Sequence, residues 1–258
     1  MIKVWDIFFY KSMFRVLLFF IFLTGCAVTF PTDPNTTWVQ SSWQDNLGVI
    51  ALATELGKSH LCTGVLISPK VVVSAAHCYK SPNETYIVYG CDNIKHDECI
   101  RVKVESIHNH PQYKFAFNSG NDIAVFLTEE PIDLPPVKIA NKKHYKDEVV
   151  KAVGFGARNN NSGIIYDGIG TVKDEYLFEI SAKLKKQTDP NPGDSGGPIL
   201  ILENGEYKVL GILSRIILNK KKIKKNGKDK YVYTHSGVGV YTKILPYTPW
   251  INEYKMLP

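Results

Sequence analysis

The run Gly193-Asp194-Ser195-Gly196-Gly197-Pro198 sets a hydroxyl between an acid and two glycines and closes the segment with a proline. Glycines after the serine permit backbone angles and close approaches that a side chain forbids. Such a loop can expose the hydroxyl and aim successive N–H groups into one small space. Acyl transfer needs both an activated nucleophile and donors placed where the oxyanion develops. By itself the segment is also compatible with a surface turn rich in Gly, Asp and Pro. The chemistry therefore depends on a base and an orienting acid elsewhere in the chain.

Seven histidines are available. His77 stands apart because an apolar run, Val71-Val72-Val73, leads through Ser74 and two alanines into His77-Cys78. Small neighbours let the ring approach an adjacent strand, and the cysteine can pin the backbone. His60, His108, His110, His144 and His235 lie in polar sequence and read as surface residues. For the acid, Asp122 heads the apolar run Ile123-Ala124-Val125-Phe126-Leu127. A carboxylate at the mouth of such a run is partly desolvated and needs a partner; the plainer reading is a turn-capping aspartate.

These residues must be positioned by short β-rich runs separated by turn clusters. The pattern predicts strands at 48–52, 63–67, 71–74, 86–89, 100–108, 123–127, 149–154, 176–180, 198–202, 209–214 and 238–242, and a single short helix over about 247–256. Many short strands without a helical period imply an all-β antiparallel barrel or sandwich.

Ala75-Ala76-His77-Cys78, Asp122-Ile123-Ala124-Val125 and the serine hexapeptide, in that order, resemble the chymotrypsin/trypsin family of serine endopeptidases. So do Gly64-Val65-Leu66-Ile67-Ser68, Gly154-Phe155-Gly156, Gly211-Ile212-Leu213-Ser214 and Gly239-Val240-Tyr241-Thr242. The resemblance covers roughly residues 45–255. It implies two six-stranded antiparallel β-barrels with a short C-terminal helix. It also implies a nucleophile Ser195, a base His77, an orienting Asp122, and an oxyanion hole from the N–H groups of Gly193 and Ser195. The resemblance further implies protein or peptide substrates, no cofactor, no metal and no nucleic acid, and a protein that acts as a monomer.

Substrate-binding positions carried over are Asp189, Ser214, Ile216 and Gly239. An acid six residues before the serine suggests cleavage after Arg or Lys. Departures from the family weaken that expectation: Pro190, Asn191 and Pro192 replace the usual residues, the cysteine expected at Asn191 is missing, and Ser214-Arg215-Ile216 stands for Ser-Trp-Gly. The alternatives are a glutamyl-type specificity, or a binding module on a protease scaffold. No Ile-Val-Gly-Gly-like activation site precedes Gly48, and Thr37-Trp38-Val39-Gln40 is only a poor match. Zymogen-type members pair a newly cut amine with the acid equivalent to Asp194. Here either an unrecognised cleavage occurs or Asp194 is satisfied internally.

Composition bounds the rest. The chain has 258 residues, 44% hydrophobic and 22% charged, ordinary for a globular protein of one large or two small domains. Its formal net charge of +6 equals the excess of seven lysines over one aspartate between Lys220 and Lys230, so the remainder is neutral. This lysine-rich segment, 217–236, reads as a mobile solvated insertion; the sharper reading is recruitment of an acidic partner. Lys11 and Arg15 precede an apolar stretch, 16–23, which is too short for a bilayer span of ~20 residues and fits an export signal. Leu23-Thr24-Gly25-Cys26 resembles a bacterial lipobox, with Cys26 lipidated as a membrane anchor in the periplasm or at the cell surface; ordinary cleavage after Ala27 is the competitor, and Met13 is an alternative start. The expected organisation is a signal at 1–25, a tether at 26–44 and the protease domain at 45–258. Five cysteines leave four after Cys26. Of three possible pairings, Cys62 with Cys78 and Cys91 with Cys99 is preferred. A metal site from Cys91, His96 and Cys99 lacks a convincing fourth ligand.

Overall fold

The computed structural model describes residues 39–54, 60–96, 98–114, 120–158, 162–185, 190–225 and 228–256. The signal, Cys26, the tether as far as residue 38, and Asp189 lie outside the described residues.

Strands β2 (Val49–Ala53), β3 (His60–Ser68), β4 (Val71–Ser74), β5 (Tyr86–Tyr89), β6 (Ile100–Asn109) and β7 (Ala124–Thr128) close a barrel in the order β2-β3-β4-β7-β6-β5. A second barrel is formed by β8 (Val149–Gly154), β9 (Tyr166–Glu175), β10 (Glu179–Leu184), β11 (Pro198–Glu203), β12 (Glu206–Lys225) and β13 (Lys228–Lys243). Its sheet closes where β8 pairs with β9, and β1 (Val39–Gln40) adds to the outer edge of β9. All strand pairings are antiparallel. The protein is thus all-β with two six-stranded antiparallel barrels and, among the described residues, one short α-helix, α1 (Thr248–Lys255).

Burial explains why several strands are apolar throughout instead of alternating. In β2, Ile50 and Leu52 fill the first barrel, while Val49, Ala51 and Ala53 face a separate cluster. The same split places Val72 and Phe126 inside, and Val71, Val73, Val125 and Leu127 outside. That outer cluster also holds Val153, Phe155, Leu200, Val209 and Ile212 of the second barrel, so it is the seam between barrels. A strand covered on both faces needs apolar residues at consecutive positions. The second barrel has its own interior of Val150, Val172, Ile180, Ile199, Leu210, Leu213 and Tyr241.

The helix starts with Pro249 in its first turn, where a missing N–H costs nothing. It buries Ile251 and lays Trp250 and Tyr254 against the seam. His110 meets Tyr247 and Trp250 edge-on at 5.0 Å, and His108 packs on Tyr254 at 4.6 Å. These two histidines are therefore half-buried packing residues, not surface ones, and burial lowers the pKa of both below the ordinary value.

Other expectations also change. Residues 39–44, within the expected tether, carry β1 and the start of a 3-10 turn (Trp43–Asn46) capped by Ser42. The strand expected at 176–180 is instead a hairpin tip with Tyr176, Leu177 and Phe178 exposed, and β10 begins only at Glu179. β9 was not foreseen. The lysine segment is no irregular insertion: β12 and β13 pair from Gly211↔Lys243 out to Lys225↔Lys228, with register shifts between Leu213 and Arg215 and between Ile217 and Leu218, and beyond the second shift they run on as a two-stranded ribbon. On it Lys222 pairs with Asp229 at 2.7 Å, and Lys220 Nζ lies 4.0 Å from the centre of the Tyr231 ring.

Candidate active site

The site straddles the seam. From the first barrel come His77, in the 3-10 turn Ala76–Cys78 after β4, and Asp122, two residues before β7. The second barrel brings Ser195, three residues ahead of β11, and Ser214 on β12.

Asp122 is almost fully buried. Oδ1 accepts the His77 backbone N–H at 3.0 Å, and Oδ2 lies 2.7 Å from His77 Nδ1. The Ser214 hydroxyl donates to Oδ2 at 2.6 Å. Burial by itself would raise this carboxyl. The His77 ring bond and charge, the Ser214 hydroxyl and the His77 N–H outweigh it, holding Asp122 below the usual carboxylate range. The backbone is fixed too: Thr242 Oγ1 donates to the Asp122 carbonyl at 3.1 Å. Asn121, at φ 52°, accepts from the Tyr247 hydroxyl at 2.9 Å. Because one carboxylate grips both the backbone and the ring of His77, the imidazole has one orientation, with Nε2 directed away from the acid.

The Cys62–Cys78 disulfide ties the histidine turn to β3. A ring nitrogen of His77 and the two sulfurs lie within 4.8 Å of one another; with both thiols oxidised, they form a brace and not a metal site. Cys78 Sγ touches the Ser195 carbonyl oxygen at 3.7 Å. Cys91 and Cys99 form the second disulfide, so they cannot ligate a metal with His96. His96 instead sits on the surface beside Asn93 and Glu98.

The backbone of the serine loop is held at several points. Thr63 on β3 donates its N–H to the Ser195 carbonyl at 2.9 Å and its hydroxyl to the Gly193 carbonyl at 2.8 Å. Gly196 N–H reaches Leu213 O at 2.7 Å, and Leu213 N–H returns to Gly197 O at 2.8 Å. Gly196 has φ +75°, and a Cβ there would lie 2.5 Å from Thr63 O and 2.8 Å from Ala75 N, which excludes other residues. With both carbonyls turned toward Thr63, the loop leaves the N–H groups of Gly193 and Ser195 without an acceptor among the described residues.

Beside Ser195 lies a cavity of about 320 Å³, lined by Pro190, Asn191, Pro192, Leu213, Ser214, Arg215 and Ile216. Its walls are largely apolar. Arg215, the one cation among the described lining residues, is matched by Glu179 through two bonds of 2.6 and 2.9 Å. Ile216 is among the residues lining the cavity. Gly239 pairs with Ile216 across the β12–β13 ladder but is not part of the lining, because the Tyr241 ring lies against it. Ser214, expected only as a pocket residue, also serves Asp122. Thr63 and Arg158 were not foreseen: nothing in their local sequence marks them, and both act on Asp194 or its neighbours across long sequence distances.

A family model described as "Trypsin" matches residues 40–251. Granzyme M of Rattus norvegicus is 26% identical over 227 residues, covering 76% of this chain and 80% of that protein. Cationic trypsin-3 of Rattus norvegicus is 26% identical over 261 residues, covering 93% and 98%. Vitamin K-dependent protein C of Mus musculus is 23% identical over 245 residues, and the chain spans only 49% of its length. The chain belongs to the trypsin family and is a serine endopeptidase.

Proposed function

We propose that Ser195, His77 and Asp122 carry the reaction, and that the enzyme cleaves peptide bonds after Arg or Lys in an exported location. The observation that carries this reading is the double grip of Asp122 on His77 next to the Ser195 loop. His77 Nε2 takes the proton of the Ser195 hydroxyl as Oγ bonds to the scissile carbonyl carbon. The carbonyl π electrons move onto oxygen, which is received by the N–H groups of Gly193 and Ser195. The same proton then passes to the leaving amine, and water repeats the sequence to release the acid. Asp122 remains ionised and stabilises the imidazolium. Each oxyanion donor contributes roughly 3–4 kcal/mol in comparable sites. Among the described residues the Ser195 hydroxyl has no hydrogen bond, a looseness common in sites without substrate.

The Arg/Lys preference rests on Asp189, six residues before the serine, together with the cavity beside Ser195. Two disulfides favour an oxidising compartment, in line with the apolar leader and with acylation at Cys26. The substitution Ser195→Ala should abolish both turnover and capture by organophosphonates with the circular dichroism unchanged; labelling that persists in this variant sinks the assignment. A positional peptide library read by mass spectrometry tests specificity, and cuts after residues other than Arg or Lys remove that part. Replacing Cys26 with serine should move the exported protein from the detergent phase to the aqueous phase.

A further inference from the structure

Asp194 immediately precedes the nucleophile, and its side chain is only 2% exposed. A carboxylate at that depth needs a cation or several donors. It has both. Oδ2 accepts from Arg158 Nη2 at 2.6 Å and from the Asn191 N–H at 2.8 Å, and Oδ1 accepts the Gly156 N–H at 2.8 Å. Gly156 allows this approach, since a Cβ there would stand 2.5 Å from the carboxylate carbon; a side chain at Gly154 would also collide with Asp194.

The cation is as firmly held as the acid. The Arg158 side chain is 11% exposed, donates Nη1 to the Ala157 carbonyl at 3.1 Å, and faces the Tyr166 ring at 5.5 Å. Tyr166 is itself anchored, because it pairs with Gln40 of β1. Asp194 cannot shift without breaking these contacts. Since it is bonded through its backbone to Gly193 and Ser195, neither can the two N–H groups assigned to the oxyanion.

We propose that Arg158 is the positioning residue of the serine loop, an internal cation that holds Asp194 and thereby keeps the oxyanion donors aimed in the intact chain, without a cleavage that delivers a new amine. This rests on the proposed roles of Ser195 and Gly193. An amine would have to displace a buried guanidinium that is already bonded to the carboxylate. Without Arg158, Asp194 would keep two backbone N–H donors but no charge partner, and the loop would relax toward solvent.

The test uses the full chain, its N-terminus read by intact mass, with a fluorophosphonate probe and a peptide substrate. The intact wild-type protein should be captured by the probe. Arg158→Gln, folded by circular dichroism at the assay temperature, should lose about 10²–10³-fold in kcat and in capture rate, the size of losing an oxyanion donor, with KM little changed. Arg158→Lys should return to within about tenfold of wild type, since the contact to Oδ2 is through a single nitrogen. Capture at the wild-type rate by folded Arg158→Gln, or a lysine variant no better than the glutamine one, overturns the proposal. So does a wild-type chain that reacts only after its N-terminus has been trimmed. If Arg158→Gln does not fold, the double variant Arg158→Met with Asp194→Asn takes its place: lost capture supports the proposal and unchanged capture refutes it. A wild-type chain inert with or without trimming overturns the catalytic reading itself, and the proposal with it.

Discussion

The two barrels supply the cleft by different physical means. The first offers His77 and Asp122 from the ends of strands packed on both faces, with a disulfide behind the histidine. The second offers Ser195 from an irregular loop whose place depends on Thr63, Gly196 and the buried Arg158–Asp194 pair. Apolar packing spreads a position over many contacts, so single substitutions are partly absorbed. A buried charge pair concentrates it, because removing one partner leaves the other uncompensated. The histidine side is therefore robust in place and sensitive in chemistry, whereas the serine side is sensitive in place as well.

The contrast can be broken or sharpened by substitution. The largest effect within the first barrel should follow Asp122→Asn, which keeps the shape but removes the charge from His77. A loss of about ten-thousand-fold in kcat is the size known for this change in the family, not one deduced from these distances; kcat within tenfold of wild type would mean that Asp122 does not orient the base. Its pH signature follows from the lowered Asp122 pKa. A depressed folded-state value contributes stability that is present above the ordinary aspartate value of about 3.9, and that stability is lost as pH falls through the folded value. Thermal melts from pH 7 to pH 2 should show wild type and Asp122→Asn converging only at the acid end. Convergence already above pH 5 contradicts this.

Next in size is Ser214→Ala. Removing a hydroxyl bond to a charged group costs about 1.5–3 kcal/mol, so kcat should fall by no more than about a hundredfold. The disulfides come third. The Cys62–Cys78 link spans 16 residues and Cys91–Cys99 spans 8, which in a chain-entropy account separates their stabilities by only about 0.6 kcal/mol. Alanine pairs at the two sites should therefore melt similarly, while only the loss of Cys62–Cys78 lowers kcat; equal kcat losses would show that the bridge does not brace His77. The smallest effect belongs to the ribbon: Lys222→Ala removes an exposed pair with Asp229 and should change stability by no more than about 1 kcal/mol. Raising salt should slow cleavage of acid-flanked peptides by the wild type if the ribbon recruits them, and identical rates at low and high salt dismiss recruitment.

Much of this was legible because it is local. The bounds of β4, β5 and β8 coincide with the expected runs, since Val71-Val72-Val73 or Tyr86-Ile87-Val88-Tyr89 announce strands by residue type alone. β9 was hidden by Asp167, Gly168 and Gly170, which weaken any strand pattern, although tertiary pairing on both edges overrides them. Tyr176, Leu177 and Phe178 misled because aromatic and apolar types suggest burial, yet they crown a hairpin. In the ribbon, lysines masked a usable signal. Asn226-Gly227 between two β-capable runs is a hairpin dipeptide, as is Asn204-Gly205 between β11 and β12.

The amino-acid sequence by itself determined the candidate reactive residue types, their order, the strand-rich architecture and the glycines that the serine loop requires. These follow from neighbours within a few residues, where backbone sterics and hydrophobic period act. Only the tertiary structure decided that Ser214 bonds to Asp122, that Thr63 holds the carbonyls of Gly193 and Ser195, and that Arg158 answers Asp194 from 36 residues away. A buried charge or carbonyl takes its partner from whatever the folded chain brings within about 3 Å, and adjacency in space has no signature in local sequence.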